Sequence, residues 1–222
     1  MVHDSGAKEA GPFNSIMVWQ GPLVYENSTY RVQNKWNEVC YYGSKTGATG
    51  GSTYFTPVGL ANINVTNKDQ TYKVFTTAQF NSLNSTSRAG STYNGQSGAR
   101  WCKIQLDIPY AGSQYAQGGL FFPDGANISG PSLTLNSGTV FNNITEGQLK
   151  SFLSKRCLFV PFCGLFNGGS WMMFESGNYI RGIYPLAQNY AQFVYSDYWN
   201  GFSTFTNTMG YYGEVFVCRS VS

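Results

Sequence analysis

A chain of 222 residues that is 17% aromatic, 11% charged and formally +3 at neutral pH carries too many apolar anchors to stay disordered in water. Its 26 glycines and 8 prolines oppose helix bundles and coiled coils, and its 14 basic residues form no run or stripe that would suit a nucleic acid. Nowhere does the sequence approach the roughly 20 consecutive apolar residues of a membrane-crossing helix.

In chain order, Met1–Gly11 is polar and reads as a disordered leader, 1–11, ahead of a single domain, 12–222. It holds no apolar run of roughly 7–15 residues, so no secretory signal is read there. Either the protein leaves its cell by another route, such as inside a virus particle, or a signal has been cut away. Residues 12–42 read as extended segments broken by turns, among them Ile16-Met17-Val18-Trp19 and Val39-Cys40-Tyr41-Tyr42. Residues 43–53 form a Gly/Ser/Thr loop. Thr76 and Gln79 make a capping box, and Phe80 and Leu83 share a face, which predicts a short helix. Residues 84–98 read as another loop, and Trp101–Leu106 alternates with period two, as a half-buried strand does.

A second capping box, Thr145 with Gln148, opens a helix whose Leu149, Phe152 and Leu153 form one apolar stripe. Glu146 in its first turn and Lys155 and Arg156 at its end complement the helix dipole. Cys157–Phe162 is continuously apolar and reads as a buried strand that Pro161 confines to an edge or a strand end. From Gly164 the apolar periodicity gives way to mixed Gly, Asn, Ser, Tyr, Phe and Trp. That texture predicts a long irregular display region before a closing strand over 214–221.

Little in the sequence points to catalysis. The one histidine, His3, lies in the leader, which removes Ser/His/Asp and Cys/His chemistry of the usual kind and any histidine-based metal site. The eleven acids are scattered, and no spacing recommends a catalytic pair. Neither the Walker loop nor the dinucleotide glycine pattern occurs. Cys40, Cys102, Cys157, Cys163 and Cys218 have neither disulfide-framework nor zinc spacing and read as small buried hydrophobes. No catalytic residue, metal or cofactor is expected. What the sequence offers is a surface of the kind antibodies use, large rings among adaptable amides. The anchors read from it are Trp171, Tyr179, Tyr184, Tyr190, Tyr198, Trp199 and Phe202, with Arg181, Asn189, Asp197 and Asn200 as polar partners. Other aromatics of the segment, Phe193 and Tyr195 included, are assigned to the core.

The stretch Leu158-Phe159-Val160-Pro161-Phe162-Cys163-Gly164-Leu165-Phe166-Asn167-Gly168-Gly169-Ser170, then Gly177-Asn178-Tyr179, then Tyr211-Tyr212-Gly213-Glu214-Val215-Phe216-Val217-Cys218-Arg219, follows a familiar order. It resembles the Fibrobacter succinogenes major paralogous domain, a relative of the formylglycine-generating branch of the C-type-lectin fold. The resemblance covers about 145–221 well and the first 140 residues poorly. It implies an α+β, C-type-lectin-like fold: a small twisted antiparallel sheet, two short helices and long irregular loops. It also implies that the closing strand lies beside a strand from the N-terminal part. Where the family shows Trp-Ser-Ser after its Gly-x-Tyr, this chain has Ile180-Arg181-Gly182. Trp199-Asn200 is followed by Gly201, where lectin calcium sites need an acid. Enzymatic activity and calcium-dependent sugar binding are therefore not carried over.

The scaffold also resembles the variable proteins of diversity-generating retroelements, with 171–207 as the variable-looking surface. The function expected is non-enzymatic binding of a protein or glycan receptor on a cell surface, without nucleic acid or membrane insertion, as in a phage receptor-binding protein or a bacterial adhesin. A virion surface or a bacterial cell surface is the expected location. The alternatives are a structural fimbrial or tail component, or a formylglycine-generating-type or carbohydrate-active enzyme.

Overall fold

The computed structural model describes residues 9–33, 54–67, 69–83, 85–110, 114–162, 165–167, 170–172, 179–195, 200–205 and 213–221. Two hairpins come first: β1 (Glu9–Phe13) with β2 (Ile16–Trp19), and β3 (Leu23–Glu26) with β4 (Thr29–Val32). An Asn-Ser dipeptide closes each, with both φ angles positive: Asn14 47° and Ser15 65°, Asn27 49° and Ser28 60°. Two-residue turns of this hand match the right-handed twist of the flanking strands. Strand pairing begins at Glu9, opposite Trp19, and so reaches into the stretch expected to be leader.

After β5 (Asn64–Asn67) and β6 (Gln70–Val74) comes α1 (Thr77–Leu83). The predicted capping box is in place. Gln79 N donates to Thr76 Oγ1 at 3.2 Å and Thr76 N to Gln79 Oε1 at 3.0 Å, while Phe80 and Leu83 are buried. The supposed loop over 84–98 instead contains β7 (Ser91–Tyr93) and β8 (Gln96–Ala99). Their turn, Asn94-Gly95, has φ of 46° and 84°.

β9 (Trp101–Tyr110) and β10 (Gln114–Phe121) form a long hairpin, followed by β11 (Asn127–Ile128) and β12 (Phe141–Ile144). Thr145 caps α2 (Glu146–Ser154) through both hydrogen bonds of its capping box, and Leu149 and Phe152 point into the core. Then come β13 (Leu158–Pro161), the short hairpin β14 (Leu165–Asn167) with β15 (Ser170–Met172), and a three-stranded meander. Its strands are β16 (Tyr179–Pro185), β17 (Tyr190–Tyr195) and β18 (Asn200–Phe205). β19 (Val217–Ser220) ends the described chain.

A five-stranded sheet has the order β1-β2-β19-β6-β5, so the closing strand lies between β2 and β6, as the resemblance implies. Glu9 on its edge accepts hydrogen bonds from Arg219 and from the Tyr72 hydroxyl, tying the first described strand to the last. A four-stranded sheet has the order β12-β9-β10-β13, with β13 on its edge and Pro161 as that strand's last residue. One face carries Cys102, Ile104, Leu120 and Phe159 against Leu149 and Phe152 of α2. The other packs Phe121, Leu158 and Val160, with Trp101 and Phe141, against residues of β1, β2, α1 and the meander. β9 is therefore covered on both faces over Cys102–Ile104 rather than half-buried. Lys103 is wholly enclosed there, its ammonium 4.2 Å from the centre of the Phe141 ring.

The α+β, C-type-lectin-like expectation is overturned by this architecture. Among the described residues nineteen strands gather into six small sheets, and α-helix is limited to seven residues in α1 and nine in α2. The physical reason lies in the segments without apolar periodicity. Tyr, Thr, Val and Phe favour extended backbone and pair into ladders wherever a neighbour is present. The irregular display region expected from Gly164 onward therefore holds β14–β18.

Candidate functional site

The C-terminal meander carries most of the residues expected to bind a ligand, and its register sorts them. At one end Pro185 of β16 faces Tyr190 of β17, which faces Phe205 of β18; at the other Tyr179 faces Tyr195, which faces Asn200. Five residues of extended chain separate the two rows, about 17 Å at roughly 3.4 Å per residue. A bulge between Ile180 and Gly182 falls on the Tyr179 side.

The first end is its base. Ile183, Tyr184, Leu186, Tyr190 and Ala191 are all buried. The Tyr184 hydroxyl donates to Pro161 O at 2.7 Å, Ala187 N to Phe75 O at 2.8 Å, and Asn189 Nδ2 to Thr77 Oγ1 at 2.9 Å. Gly213 packs so tightly beneath this end that a Cβ there would lie 1.9 Å from Ile183 O. Tyr184 and Tyr190, expected as anchors for a ligand, are 3% and 2% exposed and belong to the core. Tyr184, Leu186 and Ala191 belong to one hydrophobic cluster with Phe75, Phe80 and Leu158, where a ring is worth more than at a surface. Asn189 is half-buried and fastens the β16–β17 turn to α1.

At the opposite end the ladder brings Tyr179 and Asn200 into one row, on either side of Tyr195. Arg181 lies within the bulge, and Phe202 pairs with Phe193 one row nearer the base than Gly201 and Val194. Asp197, Tyr198 and Trp199 fall between Tyr195 and Asn200 in the chain and lie outside the described residues. Trp171 stands apart from the meander, paired with Phe166 in the β14–β15 hairpin.

Sequence reasoning missed the aromatic side chains that are exposed among the described residues. Tyr25 and Tyr30 face each other across the β3–β4 hairpin, each 38% exposed, with ring centroids 4.7 Å apart. Phe55 lies 6.1 Å beyond Tyr30. The signal was available: a two-residue Asn27-Ser28 turn with a tyrosine one position inside each flanking strand.

Cys102, Cys157 and Cys218 are buried free thiols. Burial pushes Cys102 and Cys218 up to about 12 and raises Cys157 as well, so none is a thiolate nucleophile at neutral pH. Cys40 and Cys163 lie outside the described residues. Arg88, buried, donates to Phe122 O, Arg100 O and Asp124 Oδ1 and lies 5.1 Å from the Phe13 ring centre. That arrangement braces the loop before β7. Among the described residues no three of His, Cys, Asp and Glu gather closely enough to hold a metal ion. Nor is any described helix long and apolar enough to cross a membrane. The chain matches no protein-family model, no curated protein and no solved structure.

Proposed function

We propose that the protein is a non-enzymatic binding protein of the receptor-binding or adhesin type, displayed on a virus particle or a bacterial surface. Its contact is the far end of the C-terminal meander. The observation that carries this reading is the register itself. It puts Tyr179 and Asn200 in one row, about 17 Å of strand from the fastened base. Large rings beside amides and one guanidinium give contact area at low entropic cost, with hydrogen bonds for specificity. The core rings lie at the base, so sibling proteins that differ only toward the far end and in the connections of 171–207 would keep the packing of Tyr184 and Tyr190.

The test is binding of fluorescently labelled full-length protein to a panel of fixed bacterial strains, with the double variant Tyr198→Ala/Trp199→Ala as comparison. Expected is binding to at least one strain that weakens about thirtyfold or more in the variant, the scale of a single hot-spot side chain. Tm should stay within about 3 °C. Binding to no strain, undiminished binding by the variant, or a Tm fall of about 8 °C or more would each refute the reading.

A further inference from the structure

A second polar feature lies on the four-stranded sheet. Three planar amides sit side by side in the ladder, Gln117 opposite Gln105 on β10 and β9, and Gln105 opposite Asn143 on β9 and β12. They are hydrogen-bonded head to tail. Gln117 Nε2 donates to Gln105 Oε1 at 2.7 Å, and Gln105 Nε2 donates to Asn143 Oδ1 at 3.3 Å. The row continues the face that is apolar around Phe121 and Trp101, but here the side chains reach solvent: Gln105 and Gln117 are half-buried and Asn143 is exposed. Beside Gln105 and Asn143 opens a recess of about 400 Å³, whose other polar walls are Asp107, Thr145 and Gln148.

The chemistry of these walls selects among ligands. An anion is disfavoured. The N–H groups of Glu146 and Gln148 at the start of α2 are already engaged by Asp107 Oδ1 at 2.9 Å and Thr145 Oγ1 at 3.1 Å, and the Asp107 carboxylate stands in the recess. A calcium ion needs six to eight oxygens and several charges, whereas this recess brings one carboxylate. A neutral polyol fits. Each hydroxyl both donates and accepts, and the recess supplies both capacities. Asn143 Nδ2 has two hydrogens and Gln105 Nε2 a second one beyond their ladder bonds, and Asp107 keeps an oxygen that Glu146 does not use. The orientation of Gln105 and Asn143 is fixed by their neighbours before any ligand arrives, so little ordering is left for binding to impose. The volume lies within the range of about 300–1,000 Å³ usual for small-ligand sites.

We propose that this recess is a binding site for a neutral pyranose ring, read by Asn143 and Gln105 as donors and Asp107 as acceptor. The proposal stands independently of the meander. Its test is NMR titration of the full-length protein with cellobiose, lactose, maltose and mannobiose at millimolar concentration, following the side-chain amide signals of Gln105, Gln117 and Asn143. Expected is a saturable shift of the Gln105 and Asn143 signals with at least one of these sugars. The variant Asn143→Asp keeps the oxygen that Gln105 uses and replaces the two N–H donors with a charged acceptor oxygen. It should bind that sugar about tenfold more weakly, as the loss of one or two hydrogen bonds implies. Tyr198→Ala/Trp199→Ala should bind it unchanged, which separates this site from the meander surface. Absence of any saturable shift, equal binding by Asn143→Asp, tighter binding of the 6-phosphate of the same sugar, or loss of binding in the meander variant would each overturn the proposal.

Discussion

The two ends of the C-terminal meander are built from the same residue types, and the described contacts fasten one of them, the base, to the rest of the molecule. At the base, Tyr184 and Tyr190 are buried, and Tyr184, Ala187 and Asn189 fasten it by hydrogen bonds to Pro161, Phe75 and Thr77 of α1. At the far end the described links are the strand ladder and the bulge at Ile180 and Gly182. The difference teaches that the burial of Tyr184 and Tyr190 follows from their place at the base of the ladder. Composition, which is alike at both ends, does not reveal it.

The most forceful way to break this comparison is to remove a ring from each end. Tyr190→Ala should destabilise the protein by about 3–5 kcal/mol, the usual cost of emptying a buried aromatic site. If Tyr179 belongs to the contact surface as proposed, Tyr179→Ala should stay within about 0.5 kcal/mol, as changes at exposed sites do. Urea unfolding midpoints at constant m-value read both. Equal losses would mean that the far end is core too, and the binding reading would fall with it.

A smaller effect is expected from the backbone that fastens the base. A Cβ at Gly213 would lie 1.9 Å from Ile183 O and 2.7 Å from its carbonyl carbon, so the segment ahead of β19 must move away from β16. Gly213→Ala should cost about 1–3 kcal/mol, the usual range for overpacking. Thermal unfolding measures it; a neutral outcome would show that the base can shift freely and is no fixed frame.

Both helices were legible in the sequence because a capping box is a local device. Thr76 with Gln79 and Thr145 with Gln148 need only each other, and the structure shows both pairs. The β13 edge followed from Pro161, which lacks a donor. What stayed illegible depends on partners distant in sequence. Lys103 reads as the polar side of an alternating strand, yet Phe141 and the cluster beyond it cover that side. The β7–β8 hairpin was hidden by its Ser and Gly content, although Asn94-Gly95 is a strong two-residue turn signal. Tyr184 and Tyr190 were misplaced because a core formed by α1, β13 and a meander has no periodicity within any one segment.

Finer still is the Tyr184 hydroxyl, which donates to Pro161 O at 2.7 Å in a buried setting. Tyr184→Phe keeps the ring and leaves that carbonyl without this donor, so a loss of about 1 kcal/mol is expected. A loss as large as that of Tyr190→Ala would place the weight of the base on the hydrogen bond instead of on packing.

The smallest effect separates the meander from the five-stranded sheet by pH. Burial raises Glu9, but hydrogen bonds from Arg219 and Tyr72 and the guanidinium charge together outweigh it, holding the carboxyl below its ordinary 4.5. A carboxyl depressed in the folded state contributes stability that is complete above its unfolded value and fades as pH falls through the folded one. Wild type should therefore be more stable than Glu9→Gln at neutral pH, and the gap should close progressively below pH 4.5. The gap between wild type and Tyr184→Phe involves no group that titrates there and should stay constant over the same range. Melting temperatures between neutral pH and pH 3 decide it. If the Glu9→Gln gap runs parallel to the Tyr184→Phe gap, the clasp between the first and last described strands is not ionic, and the two regions differ in packing alone.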